Sequence, residues 1–221
     1  MQALLTPDRE RFTLIWRAVW IACLWPLLDM VLSGMRDALG ANPIEAITRG
    51  TGDWTLRLLL LTLAITPLRQ LTGLHWLVRL RRMLGLYAFF YGSLHLMTYL
   101  WLDQFFDWVA IVDDIIERPF ITLGFAAFVL MLPLAVTSTN AMMRSMGGRN
   151  WQRLHRAVYL VAVLGVTHYW WLVKKDITEP AIYAGVLGLL FALRLWHALR
   201  RTRRLAVQAD ADANGARRVS A

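Results

Sequence analysis

Six stretches of this 221-residue chain are apolar for long enough to cross a bilayer, and no fold that stays in water could hide them all. They run near 13–34, 52–68, 83–102, 119–137, 154–173 and 181–198. A bilayer core of about 30 Å takes roughly 20 apolar residues as a helix, and a helix satisfies its own backbone polar groups there. The sequence therefore predicts an all-α, polytopic membrane protein: a six-helix transmembrane bundle over 1–204 and a disordered cytoplasmic tail over 205–221. The second stretch is the weakest, being short, interrupted by Arg57 and ended at Pro67. The first is too long for a signal-peptide core and has no small-residue cleavage site, so it reads as retained.

Charge sets the orientation. The chain carries +9, a balance that elsewhere would suggest nucleic acid. Here 57% of residues are hydrophobic and only 18% charged, and the arginines collect at span ends, so no nucleic-acid partner is expected. Arg9 and Arg11 precede span 1, and Arg69, Arg79, Arg81 and Arg82 lie between spans 2 and 3. Arg144, Arg149, Arg153 and Arg156 lie between spans 4 and 5, and seven more arginines run from Arg194 to Arg218. The other three loops hold only Arg36, Arg49, Arg118, Lys174 and Lys175. The positive-inside rule then puts both termini in the cytoplasm, as an even number of crossings requires. The single Cys23 rules out a disulfide scaffold. There is no Walker loop, no G-x-G-x-x-G, no cysteine cluster and no internal repeat.

The 3–4 loop is acidic and aromatic, with Asp103, Phe105, Phe106, Asp107, Trp108, Asp113, Asp114 and Glu117. Its apolar residues have roughly helical spacing, which fits either a short helix lying on the outer surface or an ordinary interfacial loop.

Ionisable groups inside spans are costly and mark function. His95 lies 12 residues beyond Met83 in span 3, and His168 lies 14 beyond Leu154 in span 5. At 1.5 Å per residue both come to about 18–21 Å from the inner end, so the two imidazoles share one depth in the outer half of the bilayer. Two such rings can clamp a haem iron axially, between helices 3 and 5, in the manner of cofactor sites in bundles. The bland reading is a satisfied polar pair. Gly92 and Gly165 each precede a histidine by three residues and are candidates to let a porphyrin approach the backbone; packing between helices is their other reading. His155 stands 13 residues before His168, about 20 Å along the axis, where a second cofactor would fit. Thirteen residues make 3.6 turns, which is off the face of His168, and a local π-bulge would correct this. Its partner position on span 3, 14 before His95, is Arg81. An unusual haem, a flavin site and an interfacial histidine all remain open for His155. His75 and His197 read as surface residues, the methionines as packing, and Trp101, Trp151, Trp170 and Trp171 as an aromatic belt.

Several short motifs carry a family resemblance when taken in order. They include Leu39-Gly-Ala-Asn-Pro-Ile, Ile65-Thr-Pro-Leu, Arg81-Arg-Met-Leu-Gly-Leu-Tyr, Leu94-His and Arg118-Pro-Phe-Ile-Thr-Leu-Gly. Thr137-Ser-Thr-Asn-Ala-Met, Trp151-Gln-Arg-Leu-His-Arg-Ala-Val-Tyr-Leu and His168-Tyr-Trp-Trp-Leu-Val-Lys complete the set. The chain resembles the haem-binding membrane subunits of the bacterial periplasmic protein-methionine-sulfoxide reductase system, the MsrQ (YedZ) family of the ferric-reductase-like transmembrane superfamily. The resemblance implies a six-helix inner-membrane protein with b-type haem, and FMN is also associated with the family. It implies electrons drawn from the quinone pool, or from a cytosolic flavin reductase. They would pass to a periplasmic molybdopterin-containing reductase that repairs methionine sulfoxide in proteins. His95, His155 and His168 match the family's histidines, and Arg81 stands where the wider superfamily often has a fourth. Two rivals are a ferric reductase or cytochrome b subunit serving another extracytoplasmic enzyme, and a non-redox transporter or scaffold. Among the spans only Asp29 and few other acids appear, which disfavours a proton-coupled transporter.

Overall fold

The computed structural model describes residues 7–173 and 175–219. Lys174, assigned above to an outer loop, lies outside them, as do residues 1–6 and the last two residues of the expected tail. The long helices are α1 (Arg9–Met35), α2 (Pro43–Thr72), α3 (Arg81–Met97), α5 (Pro119–Val136), α8 (Ala157–Leu172) and α9 (Thr178–Val219). Shorter helices, α4 (Trp108–Glu117), α6 (Asn140–Met146) and α7 (Gly148–His155), lie in the connections, and α3 runs on into a π-helical stretch, Thr98–Asp103.

Among the described residues three helices, α1, α5 and α9 over Thr178–Arg203, are long and apolar enough to span a membrane by themselves. The other three coincide with the remaining expected crossings but depart from a simple span. The second carries Arg49, Asp53, Arg57 and Arg69 over 30 residues, while α3 has 17 and α8 has 16. The segment that looks weakest in the sequence is the core of the bundle: α2 buries Leu56, Leu58, Leu59, Leu60, Leu63 and Ile65. Its charges are accommodated locally. Asp53 and Arg57 stand 3.7 Å apart, Arg57 donates to the Tyr183 hydroxyl at 3.0 Å, and its guanidinium lies over the Trp54 ring. Helical backbone in α9 continues through the stretch expected as a tail. The disordered cytoplasmic tail over 205–221 stays a proposal beside that helical backbone.

Helix ends follow from sequence. The Asp8 carboxylate accepts from Arg11 N–H at α1, Asn42 accepts from Glu45 N–H ahead of Pro43 at α2, and Gly73 closes α2 in the left-handed region at φ 74°. Three helices contain an interior proline, which removes one N–H from the ladder. At Pro26 the fully buried Tyr91 hydroxyl reaches into the turn, accepting from Leu27 N–H at 3.1 Å and donating to the Cys23 carbonyl at 2.8 Å. At Pro67 the orphaned carbonyl is that of Leu63, and Arg194 of α9 donates to it at 2.5 Å while also bonding the Tyr159 hydroxyl at 2.7 Å. Tyr91→Phe strands both groups at the α1 turn. It is expected to cost about 1–3 kcal/mol, seen as a lower Tm of the detergent-solubilised protein. An unchanged Tm would mean the bend holds without the hydroxyl.

The acidic, aromatic loop is a helix, α4, introduced by Phe105 and Phe106 at φ 48° and 61° and capped by Asp107. Ile111 faces inward, while Phe105, Trp108, Val109 and Ile116 are largely exposed. The adjacent acids Asp113 and Asp114 differ in setting. Asp114 is tied into the fold by Tyr99, Gln104 and Arg118, at 3.0, 3.2 and 3.0 Å, whereas Asp113 is exposed.

Candidate functional site

The bundle centre is two antiparallel hairpins, α2 packed along α3 and α5 packed along α8. Each contributes one histidine from its second helix. His95 sits near the end of α3 and His168 near the end of α8, and their rings meet with centroids 6.2 Å apart and planes at 76°. The matched depth read from span arithmetic is thus a real juxtaposition.

What surrounds the rings was not legible from either histidine's own helix. His95 Nδ1 lies 2.9 Å from the Thr48 carbonyl on α2, and His168 Nδ1 lies 2.5 Å from the Phe120 carbonyl on α5. Facing a carbonyl, each Nδ1 must carry the proton and donate it. Among the described residues neither Nε2 has a hydrogen-bond partner, so each ring keeps one lone pair free. Each ring lies against a glycine of the neighbouring helix, His95 against Gly52 and His168 against Gly124. The glycines picked out by spacing sit elsewhere. A Cβ on Gly92 would meet Thr55 and Met131 at 3.5 and 3.8 Å, and one on Gly165 would meet Leu56 at 3.1 Å. Both contacts are helix packing; a porphyrin-facing role for these two stays a proposal.

The chemistry of these two imidazoles suits a haem iron, which they would hold through their free Nε2 atoms. Metal-bound histidines characteristically donate their other N–H to a carbonyl or carboxylate, as both do here. With metal–nitrogen distances of about 2 Å, ring centroids flanking one ion stand roughly 6 Å apart, which is the separation seen. Among the described residues no three His, Cys, Asp or Glu side chains converge, and a porphyrin brings its own four nitrogens.

His155 ends α7, and the chain turns at Arg156 before α8 begins. No π-bulge lies between His155 and His168; the chain turns at Arg156 instead. The His155 ring stacks on Trp151 with centroids 3.8 Å apart, and Nε2 lies 3.0 Å from the Thr137 hydroxyl. A cavity of about 290 Å³ opens beside it, lined by Arg81, Arg82, Asn140, Trp151 and His155 at its polar part and by Phe89, Met131 and Leu134 among its apolar walls. Arg81 therefore does share a site with His155. His75 starts a short 3₁₀ turn, and His197 has a buried Nε2 without a hydrogen bond rather than the surface setting expected.

The model of the ferric reductase like transmembrane component matches residues 51–166, a stretch that holds the inner helices and two of the three histidines. A protein of Ralstonia nicotianae named protein-methionine-sulfoxide reductase heme-binding subunit MsrQ is 56% identical over 196 residues, 88% of this chain and 90% of its own. The chain belongs to the MsrQ family. Proteins of the same name from Herminiimonas arsenicoxydans and Azospira oryzae are 50% and 57% identical, over 93% and 88% of this chain and 96% and 84% of theirs. No solved structure matches. Membership makes this chain a membrane protein, in keeping with the three spanning helices and the all-helical bundle. It also makes the ring pair a feature to be weighed as an MsrQ site.

Proposed function

We propose that this MsrQ chain is a b-type cytochrome subunit that carries electrons across the bacterial inner membrane to a periplasmic, molybdenum-dependent methionine sulfoxide reductase. The observation that carries this reading is the ring pair: two imidazoles from different hairpins, both with Nδ1 tied to a carbonyl. When bound there, haem supplies one-electron exchange at iron. His95 and His168 would be the residues that hold the iron, and two protein ligands would favour electron transfer over oxygen binding. The surrounding helices keep the site dry and set its dielectric.

The six-crossing arrangement with cytoplasmic termini puts this pair in the outer half of the membrane, near α4. It puts the His155 cavity in the inner half. A second cofactor there, haem or FMN, would bridge the distance from a cytosolic flavin reductase; a quinol oxidised near the outer pair would not need it. Trp151 offers a stacking face and Arg81 and Arg82 offer charge to an anionic planar group. On the outer surface, Asp113 and Glu117 with the exposed apolar face of α4 form the docking surface for the reductase.

The test follows reoxidation of the dithionite-reduced protein by the purified reductase in stopped flow. Wild type is expected to pass electrons on, with a rate that falls as salt rises. Asp113→Asn with Glu117→Gln slows the bimolecular rate by up to about tenfold at low salt, because exposed rim charges act mainly on association. A reduced chain that never reoxidises with the reductase sinks the functional reading. An unchanged rate in the double variant removes only the docking surface.

A further inference from the structure

We propose that Gly52 and Gly124 are positioning residues for the two iron-ligand histidines, a role that rests on the haem reading above. In a helix every Cα–Cβ bond tilts toward the N-terminus, so a side chain covers the turn that precedes it. The carbonyl four residues earlier lies in that covered turn. Gly52 is four residues after Thr48, and Gly124 is four after Phe120, the two residues whose carbonyls accept from the histidines. The same device thus occurs twice, on α2 and on α5. A missing Cβ opens a notch, the notch admits the Nδ1–Cε1 edge of a ring from the facing helix, and the exposed carbonyl takes the Nδ1 proton on its second lone pair.

The fit is close in both places. A Cβ at Gly124 would stand 2.9 Å from both Cε1 and Nδ1 of His168. One at Gly52 would stand 3.1 and 3.2 Å from the same atoms of His95. By contrast, a Cβ at Gly185 meets nothing within 4 Å. The notches do two things for the ligands. They fix each ring as the Nδ1–H tautomer, which leaves Nε2 unprotonated and able to bind iron. They also give each imidazole a carbonyl acceptor, which raises its basicity and favours the ferric over the ferrous state.

The experiment compares Gly52→Ala, Gly124→Ala and the control Gly185→Ala in the full-length protein, with His95→Ala and His168→Ala beside them. Haem per polypeptide, the low-spin ferric EPR signal and the midpoint potential are read on material that is monodisperse in detergent. Gly124→Ala is expected to bind haem about 10–100-fold more weakly, the range for losing an outer-shell partner of a metal-bound histidine. Gly52→Ala is milder: it keeps haem, changes the EPR anisotropy and raises the potential. Gly185→Ala matches wild type. If Gly124→Ala does not fold, Gly52→Ala decides alone. Wild-type EPR and potential in a folded Gly52→Ala, or wild-type haem content in a folded Gly124→Ala, overturn the proposal. Should the histidine variants keep the haem signal, the ligand assignment itself fails. Should they lose it while the glycine variants keep wild-type spectra, only the notches fall.

Discussion

His168→Ala is expected to remove the main low-spin haem spectrum of the purified protein, and His95→Ala to do the same. Each change would delete one of the two proposed iron ligands and leave the opposite ring facing a methyl group. Losing a partner one bond further from the metal already costs about 10–100-fold in affinity, so deleting the ligand itself is expected to cost at least that. His155→Ala is expected to leave the main signal in place, because its ring stacks on Trp151 beside a separate cavity. A reduced-minus-oxidised spectrum with haem quantitation on the three variants checks this pattern. Full haem content in either His95→Ala or His168→Ala would end the two-ring account.

The second large effect concerns stability. Arg194 sits inside the last spanning helix, where an ionisable side chain is costly unless it is committed to something. Its partner is the Leu63 carbonyl, which Pro67 leaves without its helix bond. Arg194→Met therefore strands a buried acceptor and also loses the Tyr159 hydroxyl. The expected loss is about 1.5–3 kcal/mol, the range for hydrogen bonds to charged groups. Pro67→Ala restores an N–H four residues after Leu63. In that background Arg194→Met should cost much less, with a coupling of at least about 0.5 kcal/mol in a double-mutant cycle. Purely additive losses in thermal unfolding would show that Arg194 is held in the membrane for another reason.

These cases mark what could be read from residues in order and what could not. His95 and His168 stood out because few ionisable side chains interrupt the spans, and a constant rise per residue gave their common depth. The notches at Gly52 and Gly124 stayed hidden because nothing local ties them to histidines more than 40 positions away. Spacing pointed instead to Gly92 and Gly165, which share a helix with a histidine but face other neighbours. Departures from helical register were misplaced for a related reason. The π-helical stretch follows His95 on the third span, and the fifth is broken at Arg156, since a single added or turned residue leaves no periodic trace. Arg57 made the second span look weak because its partners, Asp53 and Tyr183, are visible only in three dimensions.

The pairing of α2 with α3, and of α5 with α8, has a consequence for how the two rings are held. Each hairpin contains one imidazole together with the backbone oxygen that fixes it, so each half of the clasp is complete within its own hairpin. The rings already stand 6.2 Å apart, so a haem held between them would need no change in that spacing.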